Sequence, residues 1–591
     1  MEVNSKILSL RNLMIKSEID AYLIASYDPH MSEYFHARFD ARKFMTGFTG
    51  SAGIVIVTGA EALLFTDGRY FLQAESELEG TGFKLMKLGV KDYPDIFGYI
   101  NASLKGLRLG VYAEDVSIKF YNDLVKICRN TDIEILNEDL ISEIWQDRPR
   151  LEANQIFELS EAQKNNKRAD KISNLNVKLE EKAIDFYIVS SLDEVAWILN
   201  LRGLDIEASA LFYAFLFITR SKGHKNVLFI NVDRLDAELK EKLESEGFEI
   251  EDYANFYSFL KEIKHEGKFF VSVDSNVQIL ESIGESNVVL GQSIVNELKA
   301  IKSDYEIVKM KEAHVIDGVS LIKFLYKFKS LSRDELSSLD EVDIANMLLS
   351  FRMLNNEFFS SSFDSIVGFK ENAALPHYSP KRGKKLDSSG LLLIDSGGSY
   401  MELGTTDVTR TILIGEASCE EKEDYTLVLK SFITLASLKF PFGTSGASLD
   451  GIARLPLLRK GLNFAHGTGH GVGFFLNVHE LPVSISPYST YSFKGSEIAS
   501  IEPGIYRVDK HGIRTENLVF VRQSYSNEFG NFLEFENLTL VPFEKELIVS
   551  EMLSEDELQY INRYHEFVYF SLKEYFSGEE LRFLETLTSK I

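Results

Sequence analysis

Any fold open to this chain must gather four acids and a histidine that are scattered from position 395 to position 516: Asp395, Asp407, His470, Glu502 and Glu516. Each lies in a segment suited to holding a side chain rigidly. Asp395 ends the apolar run Leu391-Leu392-Leu393-Ile394 and Asp407 opens Val408-Thr409-Arg410-Thr411-Ile412-Leu413-Ile414, so each carboxylate is expected at the edge of a strand. Gly397, Gly398 and Gly404 supply the turn between them. His470 sits in His466-Gly467-Thr468-Gly469-His470-Gly471-Val472-Gly473, whose glycines let backbone come close to a site. Glu502 precedes the turn signal Pro503-Gly504. Glu516 falls in an apolar stretch, 512–521, that reads as a strand and would not ordinarily bury an acid.

Two divalent cations a few ångströms apart carry about four positive charges, which four carboxylates balance. Oxygen-dominated ligation with one imidazole suits Mn²⁺, Co²⁺ or Zn²⁺, and the lack of thiolate ligands argues against a structural zinc site. The expectation is two divalent metal ions, with manganese first. Such a pair activates water and polarises a scissile carbonyl, which makes the chain a hydrolase. Eleven histidines occur in all, and His466, His470 and His479 fall within fourteen residues of one another. His466 and His479 are therefore candidates, neutral or protonated, to stabilise the oxyanion, and Glu502 to take the proton of the attacking water. No Gly-x-Ser-x-Gly elbow occurs and neither cysteine has a histidine partner in a known arrangement, so Ser and Cys nucleophiles are disfavoured.

The net charge of −25, with no basic stripe to interrupt it, disfavours nucleic-acid and membrane partners. Cys128 and Cys419 are far apart and lack ligand spacing, which suits a reducing compartment. The first twenty residues read as an amphipathic helix, with no signal-type apolar core. A cytoplasmic protein is expected.

A length of 591 residues suggests three or four domains. A faint repeat helps to place them. The segments 19–28 and 184–193 share a strand-then-turn pattern at a spacing of 165 residues, each after a charged helix-like segment, and predict two related α/β domains. The boundary fits at Trp145-Gln146-Asp147-Arg148-Pro149-Arg150, where proline and clustered charge break the periodicity. The stretch 192–200 is expected to pack, its acids being helix-start charges. A third unit begins near Lys302-Ser303-Asp304 with a long helix. Ile344, Met347, Leu348 and Phe351 then mark the buried face of another. The ligand-bearing strands follow, so helices should group against a mostly antiparallel sheet. The divisions are thus 1–150, 151–301, 302–541 and a tail, 542–591, read as a packing extension without chemistry.

Beyond the metal-site segments, Asp67-Gly68-Arg69-Tyr70-Phe71-Leu72-Gln73, Ile144-Trp145-Gln146-Asp147-Arg148-Pro149, Leu192-Asp193-Glu194-Val195-Ala196-Trp197 and Asn477-Val478-His479-Glu480 complete a pattern. The chain resembles the aminopeptidase P (Xaa-Pro aminopeptidase) family in its long, three-domain cytosolic form. The resemblance implies an α/β chain with two creatinase-like N-terminal domains followed by an α+β "pita-bread" catalytic domain. It implies cleavage of peptides after an N-terminal residue that precedes proline, and a homodimer. Carried over, Asp395 would chelate one metal, Asp407 and Glu516 would bridge both, and Glu502 and His470 would complete one ion's shell. His377, His466 and His479 would be outer-shell catalytic and substrate-binding groups. Arg514, two residues from Glu516 on one strand face, would shape the proline side of the cleft, and strand spacing supports that geometry independently. The rival readings are a prolidase using the same metals on dipeptides and a non-catalytic pita-bread binding protein. The first usually lacks the duplicated N-terminal pair, and the second has typically lost metal ligands.

Overall fold

The computed structural model describes residues 2–591 except Ser26 and Ala153, so Ser26, inside the first copy of the repeat, lies outside the described residues. Two compact units are present, one built mainly from residues before Val295 and one from Asn296 onward, the latter taking in the short segments 160–166 and 208–210.

The first unit holds two six-stranded sheets. In one, the strand order is Lys84–Lys87, Ala62–Thr66, Ile54–Thr58, Ala21–Ile24, Arg108–Tyr112, Asp132–Leu136; in the other it is Phe248–Glu251, Asn226–Ile230, Ala214–Thr219, Phe186–Val189, Phe269–Ser272, Val288–Gly291. The directions also agree. In each sheet the third inner strand runs antiparallel to one neighbour and parallel to the other. Ala21–Ile24 and Phe186–Val189 occupy the same place at an offset of 165 residues, so the repeat seen in the sequence is a repeat of topology. The helix Leu192–Leu199 buries all eight of its residues, Asp193 and Glu194 included, as a packing element would. One core cluster draws on both sheets, with Leu23, Ile56 and Val111 of the first and Phe186, Phe215 and Val271 of the second.

The second unit opens on the helix Asp304–Lys329, which Ser303 and Glu306 start with a reciprocal capping box. Its apolar positions pack with the helix Glu341–Arg352, of which Ile344 and Leu348 are buried while Met347 and Phe351 are only partly so. The strands that follow are antiparallel, as expected, but they form no single sheet. A six-stranded sheet runs Lys439–Pro441, Gly530–Asn537, Asn517–Asn527, Ile498–Ile501, Gly469–Gly471, Glu480–Ile485; beside it stand two three-stranded sheets and the hairpin Gly504–Arg507/His511–Arg514. Asp407, Glu502 and Glu516 fall where strands end, which frees their buried carboxylates from a packed ladder, whereas Asp395 stays within its ladder between Ile366 and Thr409. Two C-terminal helices, Glu555–Leu572 and Gly578–Thr588, lie on the long helix and contribute Ile561, Tyr564, Val568 and Leu584 to the same core.

Candidate metal centre

Asp395 lies in the strand Gly390–Ser396, opposite Thr409 of Val408–Ile414, and Asp407 is the residue before that second strand. The connection between them is a hairpin in its own right, with Gly398–Tyr400 paired to Gly404–Thr405, and not a simple turn. Gly397 allows the closeness: a Cβ there would lie 2.0 Å from the Thr406 carbonyl oxygen. His470 is the middle residue of Gly469–Gly471, squeezed between Glu480–Ile485 and Ile498–Ile501. At Gly469 a Cβ would meet the Ser500 oxygen at 1.9 Å, so the strand carrying His470 can reach its neighbour only with glycine there.

Glu502 stands between Ile498–Ile501 and Gly504–Arg507. Glu516 departs from expectation. The stretch 512–521 is not one strand: His511–Arg514 ends, residues 515 and 516 break out, and Asn517–Asn527 begins. The break docks along Val408–Ile414, with the Glu516 amide donating to Thr409 O at 3.1 Å. It follows that Arg514 and Glu516 do not share a strand face, and the two-residue spacing argument fails.

Asp407, His470 and Glu516 offer ligand atoms that all lie within 4.8 Å of one another. His470 Nε2 is 3.4 Å from Asp407 Oδ2 and 3.6 Å from Glu502 Oε1. His470 Nδ1 is 2.9 Å from the Gly471 carbonyl, which only accepts, so Nδ1 carries a proton and Nε2 is the nitrogen aimed at the acids. Thr409 Oγ1 donates to Glu516 Oε2 at 2.7 Å, and Arg514 Nη2 to Asp395 Oδ2 at 2.5 Å. The second oxygens have no such partner: Asp395 Oδ1, Asp407 Oδ1 and Glu516 Oε1 are buried without a hydrogen bond. An unanswered buried acceptor costs about 1–3 kcal/mol, and a charged one more. Three such oxygens, on Asp395, Asp407 and Glu516, the latter two acids grouped with His470, suit a site for cations.

The electrostatics agree. Burial first, and then the Asp407 charge against the opposing pull of Arg514, raises Asp395 from 3.8 to about 7. Burial also raises Glu502, and raises Glu516 well above its usual value with help from Asp407. For His470, burial pulls downward, but the Asp407 hydrogen bond and the Glu502 charge outweigh it and lift the ring to about 9. Without cations the cluster holds protons where positive charge belongs.

The remaining predicted residues are placed differently. His466 Nδ1 donates to Gly467 O at 2.7 Å, and Nε2, 2.8 Å from the Tyr506 hydroxyl, accepts its proton. Burial, followed by the Arg514 charge, pushes this histidine down to about 3, which favours the neutral of the two forms expected, with both nitrogens engaged. Arg514 is itself committed, with Nη1 on Tyr506 at 2.7 Å and Nε on Thr409 Oγ1 at 3.1 Å besides its bond to Asp395, and it is only 3% exposed. Its contacts fix it between Asp395 and Tyr506. The His479 ring stands 4.4 Å from that of His470 at 83°, half-buried. His377 is exposed on the turn after Lys370–Ala374. Tyr506, joining Arg514 to His466, escaped the sequence reading: nothing in Gly504-Ile505-Tyr506-Arg507 distinguishes it from a core tyrosine until the hairpin turns it inward.

With this geometry established, comparison with known proteins places the chain in a class. Residues 308–523 match metallopeptidase family M24, residues 6–140 and 147–306 each match a creatinase/prolidase N-terminal domain, and residues 531–591 match the C-terminal region of peptidase M24. The chain belongs to the M24 metallopeptidases, in the group of the Xaa-Pro aminopeptidases P. A probable Xaa-Pro aminopeptidase P of Neurospora crassa is 36% identical, covering 98% of this chain and 88% of that protein. Xaa-Pro aminopeptidase 1 of Dictyostelium discoideum is 35% identical over 95% of this chain and 92% of its own length. Among solved structures, the X-prolyl aminopeptidase of Caenorhabditis elegans, described as a cytosolic enzyme with a di-nuclear active site, superposes with a TM-score of 0.94 at 33% identity and covers both chains fully. The prolidase of Pyrococcus horikoshii, at 23% identity and a TM-score of 0.50, shares the fold over 65% of this chain. The expected architecture, creatinase-like N-terminal domains ahead of a pita-bread metallopeptidase domain, is the one found.

Proposed function

We propose that this chain is a metal-dependent Xaa-Pro aminopeptidase that removes one N-terminal residue from peptides whose second residue is proline. The observation that carries the chemistry is the cluster of Asp407, His470 and Glu516, whose ligand atoms lie within 4.8 Å of one another, together with the unanswered buried oxygens of Asp395, Asp407 and Glu516. Likeness over nearly the full length to an Xaa-Pro aminopeptidase P at 36% identity, and over the full length to a solved X-prolyl aminopeptidase at 33%, supports this substrate class. Asp395, Asp407, His470, Glu502 and Glu516 would hold two divalent ions, with manganese preferred for an oxygen-rich set with one imidazole. Bound there, the ions would supply an activated water and a polarised scissile carbonyl.

The protein's own groups prepare that step. Arg514 fixes one oxygen of Asp395 and Thr409 one oxygen of Glu516, so each acid turns its other oxygen inward. Ser500 donates to Glu502 Oε1 at 3.3 Å, and Glu502 is the group proposed to take the proton of the attacking water. His479 beside His470, and His377 on its exposed turn, are the histidines proposed to meet the substrate. His466, held by Tyr506, would act as a neutral ring. We further propose the domain divisions 1–150, 151–301, 302–541 and 542–591, a cytoplasmic location and a homodimer. The cytosolic description of the Caenorhabditis elegans relative and the small cysteine count support the location. Among the described residues no helix is long and apolar enough to cross a membrane.

The deciding experiment compares kcat/KM for Arg-Pro-Pro and Arg-Ala-Pro in manganese buffer, with Gly-Pro as a dipeptide control. Discrimination between a ring and a methyl group contributes about 1–3 kcal/mol, so a preference of roughly ten- to two-hundred-fold for Arg-Pro-Pro is expected. Equal rates would reject proline selectivity, and cleavage of the dipeptide alone would make the chain a prolidase.

A further inference from the structure

Arg410 lies three residues beyond Asp407, 6% exposed, and among the described residues every hydrogen bond drawn for it goes to an uncharged acceptor. Its fork divides between two parts of the unit. Nη1 donates to Glu516 O at 2.6 Å and to Thr409 O at 2.9 Å, while Nη2 reaches Asn517 Oδ1 at 2.7 Å. These hold the break that carries Glu516. The other bonds go to the C-terminal segment: Nη2 to Val541 O at 2.6 Å and to the Tyr564 hydroxyl at 3.1 Å, and Nε to Pro542 O at 3.1 Å. The guanidinium also lies over the ring of Phe543, 4.9 Å from its centre. Tyr564 is fixed in turn, its hydroxyl 2.8 Å from Val541 O and 2.9 Å from Thr539 O.

A carboxylate in a two-residue break between strands has no ladder to hold its backbone. The amide of Glu516 is held by Thr409 O, and its carbonyl is held by Arg410. The arginine can turn its donors that way only because carbonyls from the C-terminal segment and a ring face satisfy the rest of the fork at depth. We propose that Arg410 is a positioning residue for Glu516, and that the segment from Val541 to Tyr564 acts on the metal centre through it. The tail is therefore part of the site's scaffold and more than packing. This rests on the reading of Glu516 as a metal ligand.

The test is calorimetric titration of the metal-free protein with Mn²⁺, together with thermal unfolding and kinetics on Arg-Pro-Pro. Arg410→Lys keeps the charge but not the fork, and Tyr564→Phe removes one hydroxyl from the far side of the ring of contacts. Loss of an outer partner to a metal ligand weakens metal affinity by about ten- to a hundred-fold. That loss is expected for Arg410→Lys at one of two sites, with kcat restored at saturating Mn²⁺ and KM unchanged; Tyr564→Phe should shift affinity the same way by a few-fold. Arg234→Lys, at a buried arginine of the first unit, serves as a control that lowers the unfolding temperature without moving metal affinity. Wild-type affinity in Arg410→Lys overturns the inference. Should that variant not fold, wild-type affinity in Tyr564→Phe overturns it instead. If Glu516→Ala also binds two ions as tightly as the wild type, the fault lies in the ligand assignment; if Glu516→Ala loses metal and Arg410→Lys does not, only the positioning role fails.

Discussion

Glu516 is almost fully buried, with Oε2 on Thr409 and Oε1 on nothing, in company with Asp407 and His470. Replacing it with Gln keeps the shape but removes a unit of negative charge from the proposed bridging position, so Glu516→Gln is expected to lose at least one ion and nearly all turnover; metal content by elemental analysis, measured beside activity, checks this. The histidines divide by role. His470→Ala should lose metal, because its Nε2 is turned toward Asp407 and Glu502, whereas His479→Ala should lower kcat with metal retained. Equal metal loss in both variants would contradict the division. At this scale the sequence was informative about acids and poor about their supports. An aspartate at the edge of an apolar run is conspicuous, but Tyr506 and Thr409 belong to residue types that strands contain anyway, and their partners come from up to 107 residues away. The spacing argument for Arg514 fails, since the strand assumed to join it to Glu516 ends at Arg514.

Helices were the most legible elements. Ser303 with Glu306 three residues on, ahead of an apolar-periodic stretch, announces the start of Asp304–Lys329, and the structure has the capping box there. What periodicity could not reveal is the polar centre buried on that helix. Asp317 accepts from Arg352 Nε at 2.7 Å, from the Tyr400 hydroxyl at 2.7 Å and from Thr406 Oγ1 at 3.0 Å, all inside the core. Burial works against its charge, but Arg352 and the other donors outweigh it and hold Asp317 below the usual aspartate range. Because Arg352 also reaches Ser396 O at 3.3 Å, the cluster braces the neighbours of both Asp395 and Asp407. Asp317→Ala leaves a buried arginine unpaired and should destabilise the second unit by about 3–5 kcal/mol, measurable by urea unfolding of the metal-free protein. Breaking a buried pair costs this much even where the intact pair contributes little, so a loss under about 1 kcal/mol would mean that Arg352 finds another partner.

For the molecule as a whole, the duplicated sheets were legible because a strand and the turn after it recur at a fixed offset. The division of the catalytic strands into several sheets was not, since local pattern says that a segment is extended but not which neighbour it pairs with. Stability should carry the mark of the metal centre. Asp395 rises from 3.8 to about 7 on folding, so between these values the metal-free folded state binds more protons than the unfolded chain, and the cluster's contribution to stability falls as pH rises through that window. His470, lifted to about 9, adds a loss in the same direction above its unfolded value. Metal binds the deprotonated groups, so its stabilisation grows as pH rises. The gap in unfolding temperature between Mn²⁺-loaded and chelator-treated protein is therefore expected to be wider at about pH 7.5 than at about pH 5; a gap that narrows with rising pH would contradict the raised carboxyls.

The break that carries Glu516 has one more consequence, for the order in which the chain is made. Synthesis delivers Asp395 and Asp407 early, His470 and Glu502 later and Glu516 last, and the carbonyls that complete the fork of Arg410 follow at Val541 and Pro542. A nascent chain on the ribosome lacks a finished centre until the tail has emerged and docked. The peptidase activity proposed here would therefore switch on only once the segment from Val541 to Tyr564 has folded against Arg410.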